Sequence, residues 1–350
     1  MKQNLLAMFA PALLLGFMTC GVVACGNDDD DDVKPGTEQP VDGGKDEGKD
    51  DHTPDAPQQD KVVVKVDKGN NASDGHRFVA VSTDNYMIDD IMYTARDGYL
   101  WVIGYDKEHF KGDAKLIDAL EYRGEYLELR GIKEWAFTGC STLTSVTIPS
   151  SVTSIGDSAF LECTYLTAVH ISDLNAWCRI SFGSTSDSNP LTYAHHLYLN
   201  GKKVTEAVFP DGITSIGKAF MGCWSLTSVT LPGSATSIED EAFRDCQSLT
   251  SVTIPDGVTS IGKRAFENCA SLATVTIPGS VSSFGVFVFL YCTSLMDVYC
   301  YAAAPPSDCD GSPFVFTSAK IATLHVPAGS VDAYKSDSYW NCFGSIVAIE

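Results

Sequence analysis

The chain has 350 residues, of which 44% are hydrophobic and 20% charged, and it carries a formal net charge of −21 at pH 7. This length accommodates one large domain or two ordinary ones. No basic stretch offsets the negative charge, and because phosphate binding needs clustered Lys and Arg, the composition argues against nucleic acid as a partner.

Residues 1–24 have the layout of a secretory signal peptide, with a positively charged start followed by the apolar run Leu5 to Phe17. The run ends in "VVAC" (Val22 to Cys25), which resembles a bacterial lipobox, where small residues precede a Cys that becomes acylated. Acyl chains on Cys25 would hold the protein to a membrane. The alternative is an uncleaved membrane helix, since Leu5 to Cys25 is nearly long enough to span a bilayer.

Residues 25–60 form an acidic segment. Within it, residues 27–60 contain 13 Asp/Glu and 3 Lys and almost no large apolar side chains. Such a segment cannot bury enough surface to offset the entropy lost on ordering, so we expect a disordered tether. The stretch "GNDDDDD" directly after Cys25 resembles the acidic stretch that follows the lipidated Cys in surface-exported lipoproteins of Bacteroidetes. The plainer interpretation of Asp28 to Asp32 is a solvated charge run, and the two interpretations do not exclude each other.

A phrase of 23 residues repeats along most of the remaining chain. Its Cys positions are Cys140, Cys163, Cys223, Cys246, Cys269 and Cys292. A Phe lies three residues before each of these Cys: Phe137, Phe160, Phe220, Phe243, Phe266 and Phe289. Leu, Val and Ile recur at fixed offsets after each Cys. A fixed period of this length predicts a mainly β repeat solenoid with coils of about 23 residues.

One unit shows how a coil folds. In "LTSVTIP", Val and Ile are two residues apart and point to one face of a strand, which Pro ends. "VTSIG" predicts a second, shorter extended piece, and "DSAF" or "KRAF" predicts a brief helical turn, with Asp157 as a cap in the first. A single coil cannot bury enough apolar surface to fold alone, so we expect stacked coils joined by a parallel sheet.

Segments outside the regular repeat have their own signatures. Within the insertion 173–204, "DLNAWC" predicts a short capped helix and "LYLNGKKV" a hairpin turning at Asn200-Gly201. "IGKAF" is one residue shorter than its equivalents and predicts a tighter turn. In the C-terminal cap 321–350, "VDAYKSDSYW" predicts a closing helix capped by Ser330. Residues 61–125 are β-rich, with a hairpin expected around Asp97-Gly98, and form either a cap or a small separate domain.

Residues 126–350 resemble the BspA-type leucine-rich repeat proteins. The resemblance rests on "LTSVTIPDGVTSIGKRAFENC", on the inserted "AWCRISFGSTSDSNPLTYAHHLYLNGKKV" and on the ending "LHVPAGSVDAYKSDSYW". It implies a right-handed leucine-rich-repeat solenoid at a bacterial surface, in a family of which some members bind host matrix proteins or other cells. It implies no shared catalytic residues.

The Cys column is the strongest candidate for chemistry in the sequence. A zinc site needs four converging ligands, whereas these Cys follow one another in a line, one per coil. In-register side chains also stay nearly as far apart as the strands, too far for disulfide geometry. We therefore interpret the column as buried thiols that act as small apolar fillers. His195-His196 is interpreted as a polar strand entry rather than a metal or general-base site. The sequence contains no catalytic or phosphate-binding motif, so we expect neither an enzyme nor a cofactor or metal site.

The strand residues that face away from the core offer a binding surface. Seven residues after each Cys, and at the equivalent place in the last strand, lie Thr147, His170, Thr230, Thr253, Thr276, Tyr299 and His325. The uniform hydroxyl row is broken at His170, Tyr299 and His325, which we take as the candidate binding face. The alternative is a row of good β-formers that keeps the sheet soluble.

Together these features predict a lipid-anchored protein, displayed at the outer membrane surface, that binds a host protein or a neighbouring cell. A glycan-capturing accessory lipoprotein is the alternative. Neither the ligand nor the oligomeric state follows from the sequence.

Overall fold

The computed structural model describes residues 61–306, 308–309, 312–315 and 317–349. The predictions for the signal peptide 1–24, for Cys25 and for the tether 25–60 therefore lie outside the described residues.

Short strands dominate the described part of the chain. The strands before the first full repeat are β1 (Val63–Val66), β2 (Phe78–Ala80), β3 (Asn85–Ile88), β4 (Ile91–Arg96), β5 (Tyr99–Tyr105), β6 (Gly112–Lys115), β7 (Ala119–Tyr122) and β8 (Glu125–Ile132). The strands up to the end of the insertion are β9 (Leu143–Ile148), β10 (Ser154–Ile155), β11 (Ala168–Ile171), β12 (Ser181–Phe182), β13 (Leu197–Leu199) and β14 (Lys202–Lys203).

The strands after the insertion are β15 (Glu206–Val208), β16 (Ser215–Ile216), β17 (Ser228–Thr230), β18 (Ser237–Ile238), β19 (Ser251–Thr253), β20 (Ser260–Ile261), β21 (Thr274–Ile277), β22 (Ser283–Phe284), β23 (Asp297–Cys300), β24 (Asp308–Cys309), β25 (Thr323–Val326) and β26 (Ser345–Ala348). The described α-helices are α1 (Leu174–Cys178), α2 (Leu191–Ala194) and α3 (Val331–Ser336), and single 3₁₀ turns lie at Ser73–Gly75, Ser186–Ser188, Lys218–Phe220 and Ala328–Ser330.

Each regular coil contributes one longer and one shorter strand, and equivalent strands stack in parallel. After the insertion, the longer strands β15 and β17 pair with each other and those from β19 onward form the sheet β19-β21-β23-β25-β26, while the shorter ones form β16-β18-β20-β22-β24. The register places Val252, Val275, Val298 and Leu324 side by side. The sequence prediction of stacked coils with a parallel sheet is confirmed, because a period of 23 residues brings the same apolar residue to the same place in each coil.

The region 61–125 shares its sheets with the first coils. Its strands form most of a nine-stranded sheet in the order β1-β7-β8-β5-β4-β3-β2, with β10 paired to β8 and β12 paired to β10. Strand β6 pairs in parallel with β9 of the first repeat. The predicted hairpin is confirmed: β4 and β5 are antiparallel, and Asp97 and Gly98 both have positive φ at its turn.

The insertion interrupts the row of longer strands. Helix α1 begins after Asp173, whose carboxylate accepts from the backbone N–H groups of Asn175 and Ala176, so the predicted capped helix is confirmed. The predicted hairpin is also confirmed, since Asn200 and Gly201 both have positive φ between antiparallel β13 and β14. Strand β14 pairs with β13 only, and the next sheet starts at β15. The outward face of the longer strands is therefore interrupted between β14 and β15.

Stacked Phe rings run through two parts of the core. Phe243, Phe266 and Phe289 are fully buried, and their ring centroids are separated by 5.3 and 5.5 Å with the planes 9° apart. Phe137 and Phe160 repeat this geometry at 5.4 Å. In-register stacking follows from the repeat, because each Phe occupies the same place on successive coils.

The helical turn predicted for "DSAF" and "KRAF" is wrong. Ser158 has φ 52° and Arg264 has φ 57°, and a left-handed residue ends any right-handed helix. Asp157 does not cap a helix within its own coil, because its carboxylate accepts from the backbone N–H of Ser184 in the next coil. A 3₁₀ turn forms at Lys218–Phe220, where the coil is one residue shorter, which confirms the tighter turn predicted there.

The closing helix is present, but its predicted cap is not. Helix α3 spans Val331–Ser336, and Ser330 occupies the N-cap position without a side-chain capping bond. The hydroxyl of Ser330 instead donates to the carbonyl of Ala303 at 2.7 Å. Ser330 therefore attaches the helix to the last coils and does not satisfy the helix's own N–H groups.

Candidate binding face

The row predicted seven residues after each Cys lies on the outward side of the longer strands. In the C-terminal sheet the register aligns Thr253, Thr276, Tyr299 and His325 on neighbouring strands. Their strand neighbours Val275, Val298 and Leu324 are fully buried. Because successive side chains in a strand point to opposite faces, the row faces outward.

Tyr299 and His325 form an aromatic pair. Their ring centroids are 4.3 Å apart with an interplanar angle of 11°. Nε2 of His325 lies 3.0 Å from a carboxylate oxygen of Asp297, two residues before Tyr299 on the same strand. The carboxylate fixes the imidazole, and the imidazole orients the phenol ring. The chain thus offers a flat, pre-ordered aromatic surface beside an acceptor.

Exposed apolar side chains lie beside this pair and near the starts of its two strands. Val347 is the register neighbour of His325 on β26, and Met296 directly precedes Asp297. Met296 is 46% exposed and Ile321, near the start of β25, is 71% exposed. We call Met296, Asp297, Tyr299, His325 and Val347 the aromatic patch. Aromatic residues and Met are enriched in protein interfaces, and charged residues are depleted at interface centres.

The third predicted residue, His170, lies elsewhere. It belongs to the sheet β14-β13-β11-β9-β6 and stacks on Tyr198 of the insertion hairpin, with ring centroids 5.0 Å apart. The ammonium of Lys203 lies 5.9 Å from the Tyr198 ring. The structure therefore brings Tyr299 and His325 together but not His170. Tyr198 was missed by the sequence analysis because the insertion removes it from the 23-residue count.

The Cys column is buried, as predicted, but its thiols are more than apolar fillers. The Sγ atoms of Cys163, Cys246, Cys269 and Cys292 each donate to the carbonyl of a Phe 26 residues earlier, all at 3.1 Å. Each bond joins one coil to the preceding one. Burial raises the pKa of Cys163 and of Cys292 to about 12. The thiolate form needed for nucleophilic chemistry is therefore strongly disfavoured.

We predict that the column resists alkylation in the folded protein. At about pH 8, iodoacetamide should modify the half-buried Cys342 before the buried Cys246 and Cys269, whose pKa values burial raises well above the usual range. Peptide mass spectrometry against time measures the order. Modification of Cys269 at the rate seen in guanidinium chloride would contradict this view of the column.

His195 and His196 show no arrangement for catalysis. The His195 ring lies flat on the indole of Trp224, with centroids 3.6 Å apart, and burial lowers the pKa of both histidines. Neutral, stacked imidazole is a packing element here. Within the described ranges, no cluster of three or more His, Cys, Asp or Glu side chains could hold a metal ion. The helices of the same part of the chain are all too short or too polar to cross a membrane.

Comparisons with known proteins agree with the repeat. A family model described as "BspA type Leucine rich repeat region" matches residues 127–219 and 214–344, in six copies. A search of curated proteins gives no match.

Two solved structures are similar to this chain. A leucine-rich cell surface protein from Faecalibacterium prausnitzii is 19% identical, and the match covers 78% of this chain and 96% of that chain with a TM-score of 0.41. A leucine-rich repeat protein from Bacteroides ovatus is 20% identical, covering 75% and 76% with a TM-score of 0.35. At this level of similarity neither structure informs on a ligand.

Proposed function

Since the chain belongs to the BspA-type leucine-rich repeat family, we propose that it is a non-catalytic, right-handed solenoid that binds a macromolecule at a bacterial surface. The observation that carries this proposal is the aromatic patch. It is the place where the polar outward row of the C-terminal sheet changes to a stacked Tyr299–His325 pair with exposed apolar neighbours.

A protein is the partner that this chemistry favours. Interface hot spots combine aromatic side chains with surrounding contacts that exclude water. Val347 lies beside His325 in register, Met296 is exposed next to the start of the Tyr299 strand, and the single carboxylate of Asp297 is already held by the imidazole. A host protein or a protein on a neighbouring cell fits this surface.

The proposal also includes display of the protein at the bacterial surface. Residues 1–24 act as a lipoprotein signal peptide, Cys25 carries the lipid, and residues 25–60 hold the body away from the outer membrane. Residues 61–125 cap the repeats of residues 126–350, which include the insertion 173–204 and the cap 321–350. Protease shaving of intact cells, beside a Cys25→Ala variant, tests this arrangement. Protection of the protein from protease, or retention of the variant in the membrane, would refute it.

We predict that the aromatic patch determines binding. The double variant Tyr299→Ala/His325→Ala should lower affinity for a protein ligand by about tenfold or more, because each aromatic hot spot contributes substantially to binding. Ligands are identified on an array of purified matrix proteins, and affinity is then measured by surface plasmon resonance. The matched control is Thr253→Ala/Thr276→Ala in the same row. Equal affinities of the two double variants would exclude the patch as the site.

Glycan capture is the second candidate function. The flat Tyr299–His325 pair could stack against a sugar ring while Asp297 accepts from a hydroxyl group. A glycan-array signal that Tyr299→Ala/His325→Ala abolishes, without any protein ligand, would favour this function over the first.

A further inference from the structure

The nine-stranded N-terminal sheet carries an outward surface of different chemistry. The guanidinium of Arg130 lies 5.0 Å from the centre of the Tyr99 ring, and the ammonium of Lys133 lies 3.7 Å from that of Trp101. The body from residue 61 onward contains 32 Asp/Glu against 20 Lys/Arg. Even so, none of the ion pairs in the described part of the chain includes Arg130 or Lys133. Aromatic rings hold these cations, so their charges are not neutralised.

The arrangement depends on Gly131. Trp101 is the register partner of Gly131, and a Cβ added there would lie 2.9 Å from the indole Cζ3 and 2.5 Å from the carbonyl oxygen of Ser154. Only a glycine lets the indole lie this close to the backbone of β8. The face of the indole then contacts the ammonium of Lys133, which lies two residues after Gly131. A cation over a Trp face is attracted by the ring quadrupole, so the ammonium is pre-ordered.

The contact between Trp101 and Lys133 lies in the wall of a groove. Arg96, Trp101 and Lys133 line an open groove of about 610 Å³ that continues past Ser154 and Ser181. Glu134 and Asp157 also line it. We call the part formed by Arg96, Trp101, Lys133, Ser154 and Ser181 the cationic groove. Lys133 and Arg96 supply its two cations, of which Arg96 also lies 3.6 Å from the carboxylate of Asp97, and Ser154 and Ser181 supply hydroxyl groups.

Beneath the groove, strands β5, β8 and β10 are paired on both edges, whereas β12 pairs with β10 alone. Strand β5 pairs with β4 and β8, β8 pairs with β10, and β10 pairs with β12. Along β5, β8 and β10 a peptide therefore cannot add a strand, and recognition there depends on side chains. A densely charged polyanion is also disfavoured, because the body around these few cations is strongly acidic.

We propose that the cationic groove binds an acidic polysaccharide, a chain of sugars bearing carboxylate or sulfate groups. Arg96 and Lys133 donate to the acidic group, since charge-assisted hydrogen bonds to oxyanions are the stronger kind. Ser154, Ser181 and Glu134 exchange hydrogen bonds with sugar hydroxyl groups. Sparse negative charge with many hydroxyls matches a groove that has few cations and a polar floor. This site is separate from the aromatic patch.

Binding to defined polymers tests the proposal. The full chain is titrated with hyaluronate and highly esterified pectin as sparsely charged acidic polysaccharides, dextran as a neutral one, and poly-glutamate as an acidic peptide. We expect at least one acidic polysaccharide to bind and dextran not to bind. Arg96→Gln/Lys133→Gln should weaken that binding by about tenfold or more, because two charge-assisted bonds are lost.

Matched variants decide the outcome. Lys111→Gln/Lys335→Gln removes the same charge from two other exposed positions and should change affinity less than about twofold. Tyr299→Ala/His325→Ala should bind the polysaccharide like the wild type, which separates this site from the proposed function. The proposal is overturned if no acidic polysaccharide binds, if poly-glutamate binds as tightly, or if both double lysine/arginine variants lose affinity equally. Thermal melting confirms that each variant is folded.

Discussion

Replacing Phe266 by alanine is expected to lower the free energy of unfolding by about 3–5 kcal/mol. Phe266 is fully buried, and its ring stacks on Phe243 at 5.3 Å and on Phe289 at 5.5 Å. Removing the middle ring leaves a cavity between two coils whose spacing is fixed by the parallel ladders above and below. The neighbouring rings cannot close this cavity without breaking backbone hydrogen bonds. Urea denaturation followed by circular dichroism measures the change.

The matched control for Phe266 is another aromatic residue of a regular coil. Tyr165 is 64% exposed, so Tyr165→Ala should change the free energy of unfolding by no more than about 0.5 kcal/mol. Phe266→Leu keeps most of the volume and should fall between the two. A Phe266→Ala loss as small as that of Tyr165→Ala would mean that the ring column does not hold the coils together.

The repeated part of the fold follows from the sequence because its signals are local and periodic. Phe, Cys and Leu at one offset in every coil determine which residues are buried, and stacking at a 23-residue period determines the parallel register. The hairpins at Asp97-Gly98 and Asn200-Gly201 follow from residues that accept positive φ. None of these predictions requires knowledge of a distant contact.

Other features depend on contacts that no local pattern contains. The left-handed residues Ser158 and Arg264 are not of types that favour positive φ, so "DSAF" and "KRAF" resembled helix starts. Their conformation is imposed by the return of each coil to the core. The parallel pairing of β6 with β9 joins segments about thirty residues apart and includes a register shift. A cap that does not share the repeat sequence carries no signal for such pairing.

The candidate binding sites also differ in how far the sequence alone predicts them. Tyr299 and His325 could be selected from sequence because consecutive coils place them in one row, although their stacking and the contact with Asp297 appear only in the structure. The sequence does not reveal the cationic groove, because Arg96 lies on β4, Trp101 on β5 and Lys133 directly after β8. Strands β4 and β5 pair antiparallel and β5 and β8 pair parallel, so only the folded sheet brings these residues together. The alternation of Tyr99 and Trp101 on one strand face was the available signal.

Replacing Gly262 by alanine is the second large expected effect, with a loss of about 2–3 kcal/mol in the free energy of unfolding. A Cβ at residue 262 would lie 2.4 Å from the backbone nitrogen of Asp240 and 2.6 Å from the carbonyl carbon of Glu239, both in the preceding coil. These atoms directly follow the β18–β20 ladder, which leaves them little room to move aside, so the coils must separate locally. The φ angle of Gly262 is not in the left-handed region, and the cost is therefore steric. Urea denaturation again measures it.

Two other glycines provide graded controls. Gly233 has no atom within 4 Å of the added Cβ, so Gly233→Ala should be near neutral. Gly217 occupies the same repeat position as Gly262, but its Cβ would meet only the flexible carboxylate of Glu239 at 3.3 Å, so an intermediate, smaller loss is expected. Glu239 itself stands where other coils have glycine, above the coil in which Lys218–Phe220 forms a shorter 3₁₀ turn. We infer that the one-residue shortening of that coil makes room for the Glu239 side chain. Equal losses for Gly262→Ala and Gly233→Ala would show that close approach of the coils does not select glycine at position 262.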